Sequence, residues 1–278
     1  MRQVWIYSHI PKSGGTTMKS LLSESFGGDF REDVSLLYHK FPYSQAEVRA
    51  IVEGNPMVRC IAGHRFSALM PNVPEVSLVV ITQLRDPAER FLSHYFFFRQ
   101  HRGQNFWPEV NTLSLTEYFE WAIVDGNAPE MANYQTWFLT GHANEDGLML
   151  AEQRIRNGQL LAFPLSRFDE ALVWLSKSQP ERFSDCSYAR KNVRFRAGEE
   201  DHQQEALQIS DLIKEYDQFD CKLIELADCQ LNDLLSNSFE SSEDVELELE
   251  QLRRRNASVE KRERRKRRLA RIADKLRG

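Results

Sequence analysis

Lys12, Gly14, Gly15, Thr16 and Thr17 stand in the order Pro11-Lys12-Ser13-Gly14-Gly15-Thr16-Thr17, a set of residues suited to holding an oxyanion. Glycines let an anion approach the main chain, N–H groups at the start of a helix point at it, and the helix dipole favours negative charge there. The Lys12 ammonium and the two hydroxyls of Thr16 and Thr17 add donors. The lysine precedes both glycines, whereas the nucleotide loop G-x-x-x-x-G-K-[ST] carries it after the second. A phosphotransferase is therefore a poor fit, since neither that lysine nor Mg²⁺ ligands can be placed. A second anion grip stands in Arg85-Asp86-Pro87-Ala88-Glu89-Arg90-Phe91-Leu92-Ser93-His94-Tyr95, where Arg85 can hold a phosphate bidentately and Ser93 can add its hydroxyl. Between the two, Gly63-His64 offers a side chain that titrates near neutrality.

These groups act together only if the chain gathers them. Val4-Trp5-Ile6-Tyr7 is β-branched and aromatic, as strands are. Pro11 and the glycines break the run, Thr16 and Thr17 are placed to cap a helix, and Met18, Leu21 and Leu22 recur at helical spacing. Gly27-Gly28-Asp29 reads as a turn, and Phe30 to Pro56 as mostly loop with a short helix around Ala46 to Val52. Met57 to Ala62 is a short strand running into Gly63-His64. Ser77 to Thr82 is apolar almost throughout, as a parallel strand covered on both faces would be. It leads into Arg85, with Asp86 as helix cap and Pro87 in the first turn. All three groups then lie at the carboxyl edge of a parallel sheet, where α/β folds place their chemistry. Asn133 to Gly141 and Tyr216 to Ala227 read as helices, and Leu161 to Leu172 as a strand followed by a helix capped at Asp169. The expectation is an α/β, three-layer sandwich with a central parallel sheet flanked by helices over residues 1–240, and a charged helical tail over 241–278.

The first motif resembles the 5′-phosphosulfate loop of sulfotransferases that use 3′-phosphoadenosine 5′-phosphosulfate, and His9-Ile10-Pro11-Lys12-Ser13-Gly14-Gly15-Thr16-Thr17 is most similar to the branch that sulfates carbohydrates, which includes the heparan sulfate 2-O-sulfotransferases. The second resembles the same family's 3′-phosphate segment, in family order and after a strand. The resemblance continues more weakly through Asn133-Tyr134-Gln135-Thr136, Arg167-Phe168-Asp169 and the helix at Tyr216 to Ala227. It implies a P-loop-like fold and 3′-phosphoadenosine 5′-phosphosulfate as co-substrate, with no metal. The donor would be bound by Pro11, Lys12, Ser13, Gly14, Gly15, Thr16, Thr17, Arg85 and Ser93. It further implies transfer to a hydroxyl, of a carbohydrate by the branch, with Lys12 stabilising the leaving phosphate. The family's catalytic histidine falls in a Gly-His segment, matched by Gly63-His64, so His64 is the expected general base. His9 would orient the loop or the donor, and His94 would pack within its helix. His39, His101, His142 and His202 have no motif. Lys191-Asn192-Val193-Arg194-Phe195-Arg196, with Arg190, either closes over the adenine and 3′-phosphate, as the resemblance implies, or is a solvated basic loop. Tyr95, Arg99, His101, Arg102, Phe106 and Trp107 either line an acceptor cleft or are core and rim.

At 278 residues with 41% apolar side chains, the chain can bury an ordinary core. Cys60, Cys186, Cys221 and Cys229 have neither zinc nor disulfide spacing and read as free, buried thiols. No apolar run approaches a membrane span, and no secretory leader pattern precedes the first strand, so a cytoplasmic protein is expected. The net charge of −5 conceals an asymmetry: residues 251–278 carry thirteen Lys or Arg against three Asp or Glu, a net +10 against −15 for the rest. Such a tail can dock on an acidic partner, join a homo-oligomer or adhere to nucleic acid or membrane, or it can be only a solubilising helix. The alternative to an enzyme is thus a non-catalytic scaffold or nucleic-acid-binding module working through this tail.

Overall fold

Val4 and Ile6 of β1 (Arg2–Ser8) are buried on one side of a sheet, and Trp5 and Tyr7 on the other. Successive strand side chains point to opposite faces, so an unbroken apolar run needs cover on both. The computed structural model describes residues 1–33, 42–100, 108–128, 131–189 and 200–277. Its strands are β1, β2 (Phe30–Asp33), β3 (Cys60–Gly63), β4 (Val76–Leu84) and β5 (Leu160–Pro164). They form one sheet in the order β2-β3-β1-β4-β5, every pair parallel. The helices are α1 (Gly15–Phe26), α2 (Gln45–Glu53), α3 (Pro87–Gln100), α4 (Leu115–Phe119), α5 (Tyr134–Thr140), α6 (Glu145–Arg156), α7 (Phe168–Ser178), α8 (Glu200–Tyr216), α9 (Gln218–Ser238) and α10 (Ser242–Arg277).

One face packs Trp5, Tyr7, Cys60, Ala62, Ile81 and Phe163 against apolar residues of α1 and α7 and two leucines of α10. The other packs Val4, Ile6, Ile61, Val80, Leu160 and Ala162 against α2, α5, α6 and part of α9. A third cluster joins α3, α4 and α8 beside the sheet. The architecture is α/β, with a five-stranded parallel sheet between helical layers and a charged helix at the end. Among the described residues no helix is long and apolar enough to cross a membrane.

Local expectations are corrected in four places. The segment after Gly28 holds the strand β2, where a loop was expected; three of its four residues are polar, and as an edge strand it has only one hydrogen-bonded neighbour. The cap of α1 is Gly14 in the left-handed region (φ 80°), and no side chain caps it, so Thr16 and Thr17 lie inside the first turn. Asp169 lies inside the first turn of α7, where it accepts from the Tyr188 hydroxyl at 2.7 Å. Of the four free cysteines, Cys60 and Cys186 are buried, Cys221 is half-buried and Cys229 is exposed. Asp86 does cap α3, its Oδ1 accepting from Glu89 N at 3.0 Å.

The helix of the charged tail forms as its composition suggests, and it spans about 54 Å at 1.5 Å per residue. Its first turns are tied to the body. Leu249 and Leu252 are buried in the cluster with α7, Asn256 Oδ1 accepts from Tyr188 N at 2.8 Å, and Arg253, Arg254, Lys261, Arg262, Arg264 and Arg265 are exposed.

Candidate functional site

The carboxyl ends of β1, β3 and β4 lie side by side, with Ser8 in register with Gly63 on one side and Thr82 on the other. The residues that leave these strands therefore meet. From β1 come His9 and the loop 10–14; from β3, His64; from β4, Arg85. The loop turns back sharply, Ser13 N donating to Ile10 O at 3.4 Å. Lys12 itself is left-handed at φ 69°, a conformation that costs a non-glycine residue roughly 1 kcal/mol and concentrates at functional sites. Its ammonium lies 3.7 Å from the centre of the Phe97 ring, a favourable electrostatic contact.

Arg85 follows the last residue of β4. Its Nη1 donates to the Lys12 carbonyl at 3.3 Å and its Nε to Glu89 Oε2 at 3.1 Å. Glu89, Ser93 and Phe97 are spaced by four along α3 and so share one face. Glu89 holds Arg85 and Phe97 lies under Lys12, so Ser93 lies on the helix face between those two contacts. The structure thus brings Lys12 and Arg85 together from segments some seventy residues apart, with Ser93 on the neighbouring face of α3. Ser13 is buried, and its Oγ donates to Gln135 Oε1 at 3.3 Å. Thr16 is exposed and Thr17 half-buried in the first turn of α1. Two cations, hydroxyls and a helix N-terminus at one sheet edge fit an anionic ligand.

His64 stacks on His9 with ring centres 4.0 Å apart, and His9 in turn on Tyr7 at 5.4 Å. His64 Nδ1 donates to the main-chain oxygen of His9 at 2.7 Å. A carbonyl can only accept, so this bond fixes the proton on Nδ1 and leaves the Nε2 lone pair available. Burial lowers the His64 pKa from its ordinary value; the His9 carbonyl and the Glu32 and Asp33 carboxylates act the other way, and Lys19 acts with burial. His9 is held well below its ordinary value by burial, then by His64, Lys19 and Lys12. Two neutral imidazoles therefore sit beside the cations. Gly15 is required here: a Cβ on it would come 2.0 Å from both Cδ2 and Nε2 of His9.

Other candidates are placed elsewhere. His94 is buried and bonds through Nε2 to the Tyr118 hydroxyl at 3.2 Å, outside its own helix. Tyr95 is buried, and both its hydroxyl and Arg99 Nη1 donate to Leu113 O at 3.0 Å, so these two support the fold and do not line a cleft. His39, His101, Arg102, Phe106, Trp107, Arg190, Lys191, Arg194 and Arg196 lie outside the described residues. The motif reading overlooked Glu89 and Phe97, although their four-residue spacing from Ser93 was a legible signal. Gln135 falls in the stretch Asn133-Tyr134-Gln135-Thr136 that carries the resemblance, but its contacts with Ser13, Arg85 and Asp220 give it a role that the stretch itself does not reveal.

No protein-family model matches the chain, and neither does any curated protein. Among solved structures it is similar to a crystal structure of a sulfotransferase from Alicyclobacillus acidocaldarius, at 13% identity and a TM-score of 0.42, over 81% of this chain and 96% of that one.

Proposed function

We propose that the chain is a sulfotransferase that moves a sulfonate from 3′-phosphoadenosine 5′-phosphosulfate to a hydroxyl, that of a carbohydrate in the reading the first motif favours, and that it works in the cytoplasm. The supporting observation is the meeting of the two anion grips, Arg85 Nη1 on the Lys12 carbonyl at 3.3 Å, beside a histidine whose Nε2 is left as a base. The loop 11–17 would take the 5′ side of the donor, and Arg85 with Ser93 the 3′-phosphate. When bound, the donor supplies the activated sulfonate. An S–O bond to the acceptor forms as the bond to the phosphate breaks. His64 Nε2 takes the acceptor's proton, and the Lys12 ammonium stabilises the charge that develops on the leaving oxygen. On this reading residues 1–240 carry the chemistry and the helix from 241 adds a surface for an acidic partner or a second copy.

The test is binding of 3′-phosphoadenosine 5′-phosphate by calorimetry, then turnover of labelled donor with a panel of polysaccharides, glycolipids, small alcohols and peptides. Arg85→Ala should abolish strong binding. His64→Ala should remove turnover and largely spare binding; near-full activity in that variant would show the base to be another group. The second reading, a scaffold or nucleic-acid binder, is favoured by one observation, the exposed basic residues of α10. It gains if the chain binds no nucleotide and binds nucleic acid only while residues 251–278 are present.

A further inference from the structure

Gln135 is wholly buried at the start of α5, and its side-chain amide uses its full capacity of two donations and two acceptances. Oε1 accepts from Arg85 N at 2.8 Å and from Ser13 Oγ at 3.3 Å. Nε2 donates to Arg85 O at 2.8 Å and to Asp220 Oδ2 at 3.3 Å. The two bonds to the Arg85 main chain do for that residue what a neighbouring strand would, one step beyond the end of β4. Through Oε1 the same amide reaches the Lys12 loop. One buried group thus sets the distance between the two anion grips.

Its orientation is dictated. Arg85 N can only donate and Arg85 O only accept, so the amide cannot be turned over without opposing like groups. Asp220 enforces the same sense. Its carboxylate accepts from Gln135 N at 3.0 Å and from Thr136 N and Oγ1 at 2.8 Å each, so it requires a donor, Nε2, on the side facing it. Asn133 ties the same helix start to α9, its Oδ1 accepting from Phe219 N at 2.8 Å.

We propose that Gln135, locked by Asp220, is a positioning residue for the two-phosphate site: it fixes the Arg85 guanidinium relative to the Lys12 loop and thereby selects ligands that carry both phosphates. This rests on reading the site as a donor clamp. The residue would act through Arg85, so its effect should vanish when that guanidinium is gone.

The experiment is a double-mutant cycle read as the Kd for 3′-phosphoadenosine 5′-phosphate, with wild type, Gln135→Met, Arg85→Ala and the double variant, each checked for folding by circular dichroism. Gln135→Met keeps the volume and removes all four bonds, and it should weaken binding by about tenfold or more. In the Arg85→Ala background the same change should cost less than about twofold. Equal losses in both backgrounds would mean a merely structural role and overturn the proposal, as would wild-type affinity in Gln135→Met. Should Gln135→Met fail to fold, isosteric Gln135→Glu carries the test. It keeps the acceptor toward Arg85 N and sets an oxygen against both Arg85 O and Asp220, so the same pattern of loss is expected. Wild-type protein that binds no bisphosphate would instead refute the clamp itself, an outcome distinct from a clamp that binds and ignores Gln135.

Discussion

Adding one methyl group at Gly15 tests whether the histidine pair is built as described. The new Cβ would lie 2.0 Å from two atoms of the His9 ring and 2.8 Å from the Tyr7 hydroxyl. Ordinary carbon contacts begin near ~3.5 Å, so the ring must retreat by roughly 1.5 Å. It is held by Tyr7 on one side and His64 on the other, so it cannot retreat without disturbing a stack. Overfilling of this kind costs about 1–3 kcal/mol, of which alanine's better helix propensity at the start of α1 returns at most about 1. With all of it returned about 0–2 kcal/mol remains, and at about 2 °C per kcal/mol for a chain of this size Gly15→Ala should lower Tm by up to roughly 4 °C. The disturbance reaches His64, and a misplacement near 1 Å can cost about a hundredfold in rate, so turnover should fall by at least about tenfold. Removing the ring should relieve the larger part of the strain and leave the 2.8 Å contact with the Tyr7 hydroxyl: Gly15→Ala should lower Tm less in the His9→Ala background than in wild type. A thermal melt of the four proteins in the cycle, with turnover of labelled donor, reads both effects. Gly15→Ala that melts and turns over as wild type, or losses that simply add, would show that the His9 ring does not lie over Gly15.

Because burial lowers the His64 pKa and the base must be neutral, kcat/KM should persist below the ordinary imidazole range and fall only at lower pH; an acid limb of kcat/KM at or above pH ~6.5 would contradict the burial of this ring. Asp217 should make the fold weaker as pH rises. Burial first, then Asp220 and Asp86, push its pKa up to about 7 against Arg90 and the Asn133 N–H, and its Oδ2 is buried without a hydrogen-bond partner among the described residues. The folded state then holds this proton more tightly than the unfolded one, so stability is lost from the ordinary carboxylate range up to about pH 7. Asp217→Asn should therefore gain Tm over wild type at pH 8 and not at pH 4, and equal gains at both would dismiss titration as the cause. Leu252→Ala should cost about 2–4 kcal/mol in urea unfolding, since Leu252 is 1% exposed within the cluster with α7; a neutral result would mean that α10 is not seated there.

Much of the sheet was legible because its strands announce themselves. Val4 to Tyr7 and Ser77 to Thr82 are apolar on both faces, and such runs have few other places in a soluble fold. Asp86-Pro87 marks a helix start by local chemistry alone, and Asp86 indeed caps α3. Phe30-Arg31-Glu32-Asp33 was read as loop because an edge strand of three polar residues has no apolar face to advertise; β3 alone makes it a strand. The first turn of α1 was misjudged at its cap because the left-handed turn at Gly14 does the work expected of a threonine side chain. Lys12, Arg85 and His64 could be placed at one sheet edge from spacing because each follows a strand closely. The amide of Gln135 could not, since its meaning comes from Ser13, Arg85 and Asp220, which lie 122, 50 and 85 residues away. Nor could the stacking of His9 on His64, which depends on β1 and β3 being neighbours.

The placing of β1 at the centre of the sheet has a consequence for how the chain comes off the ribosome. Trp5 is in register with Cys60 on one side and Val79 on the other, so neither flank of β1 exists until 55 to 74 further residues have followed it. At ~5–20 residues per second that is roughly 3–15 s of waiting. Through that interval the segment Val4 to Tyr7, buried on both faces in the finished fold, has no partner strand to bind it. Its candidate loop likewise has no β4 end to lean on. A nascent chain of this design gives holdase chaperones an early and prolonged target, and its first hydrogen-bonded ladder is a long-range one.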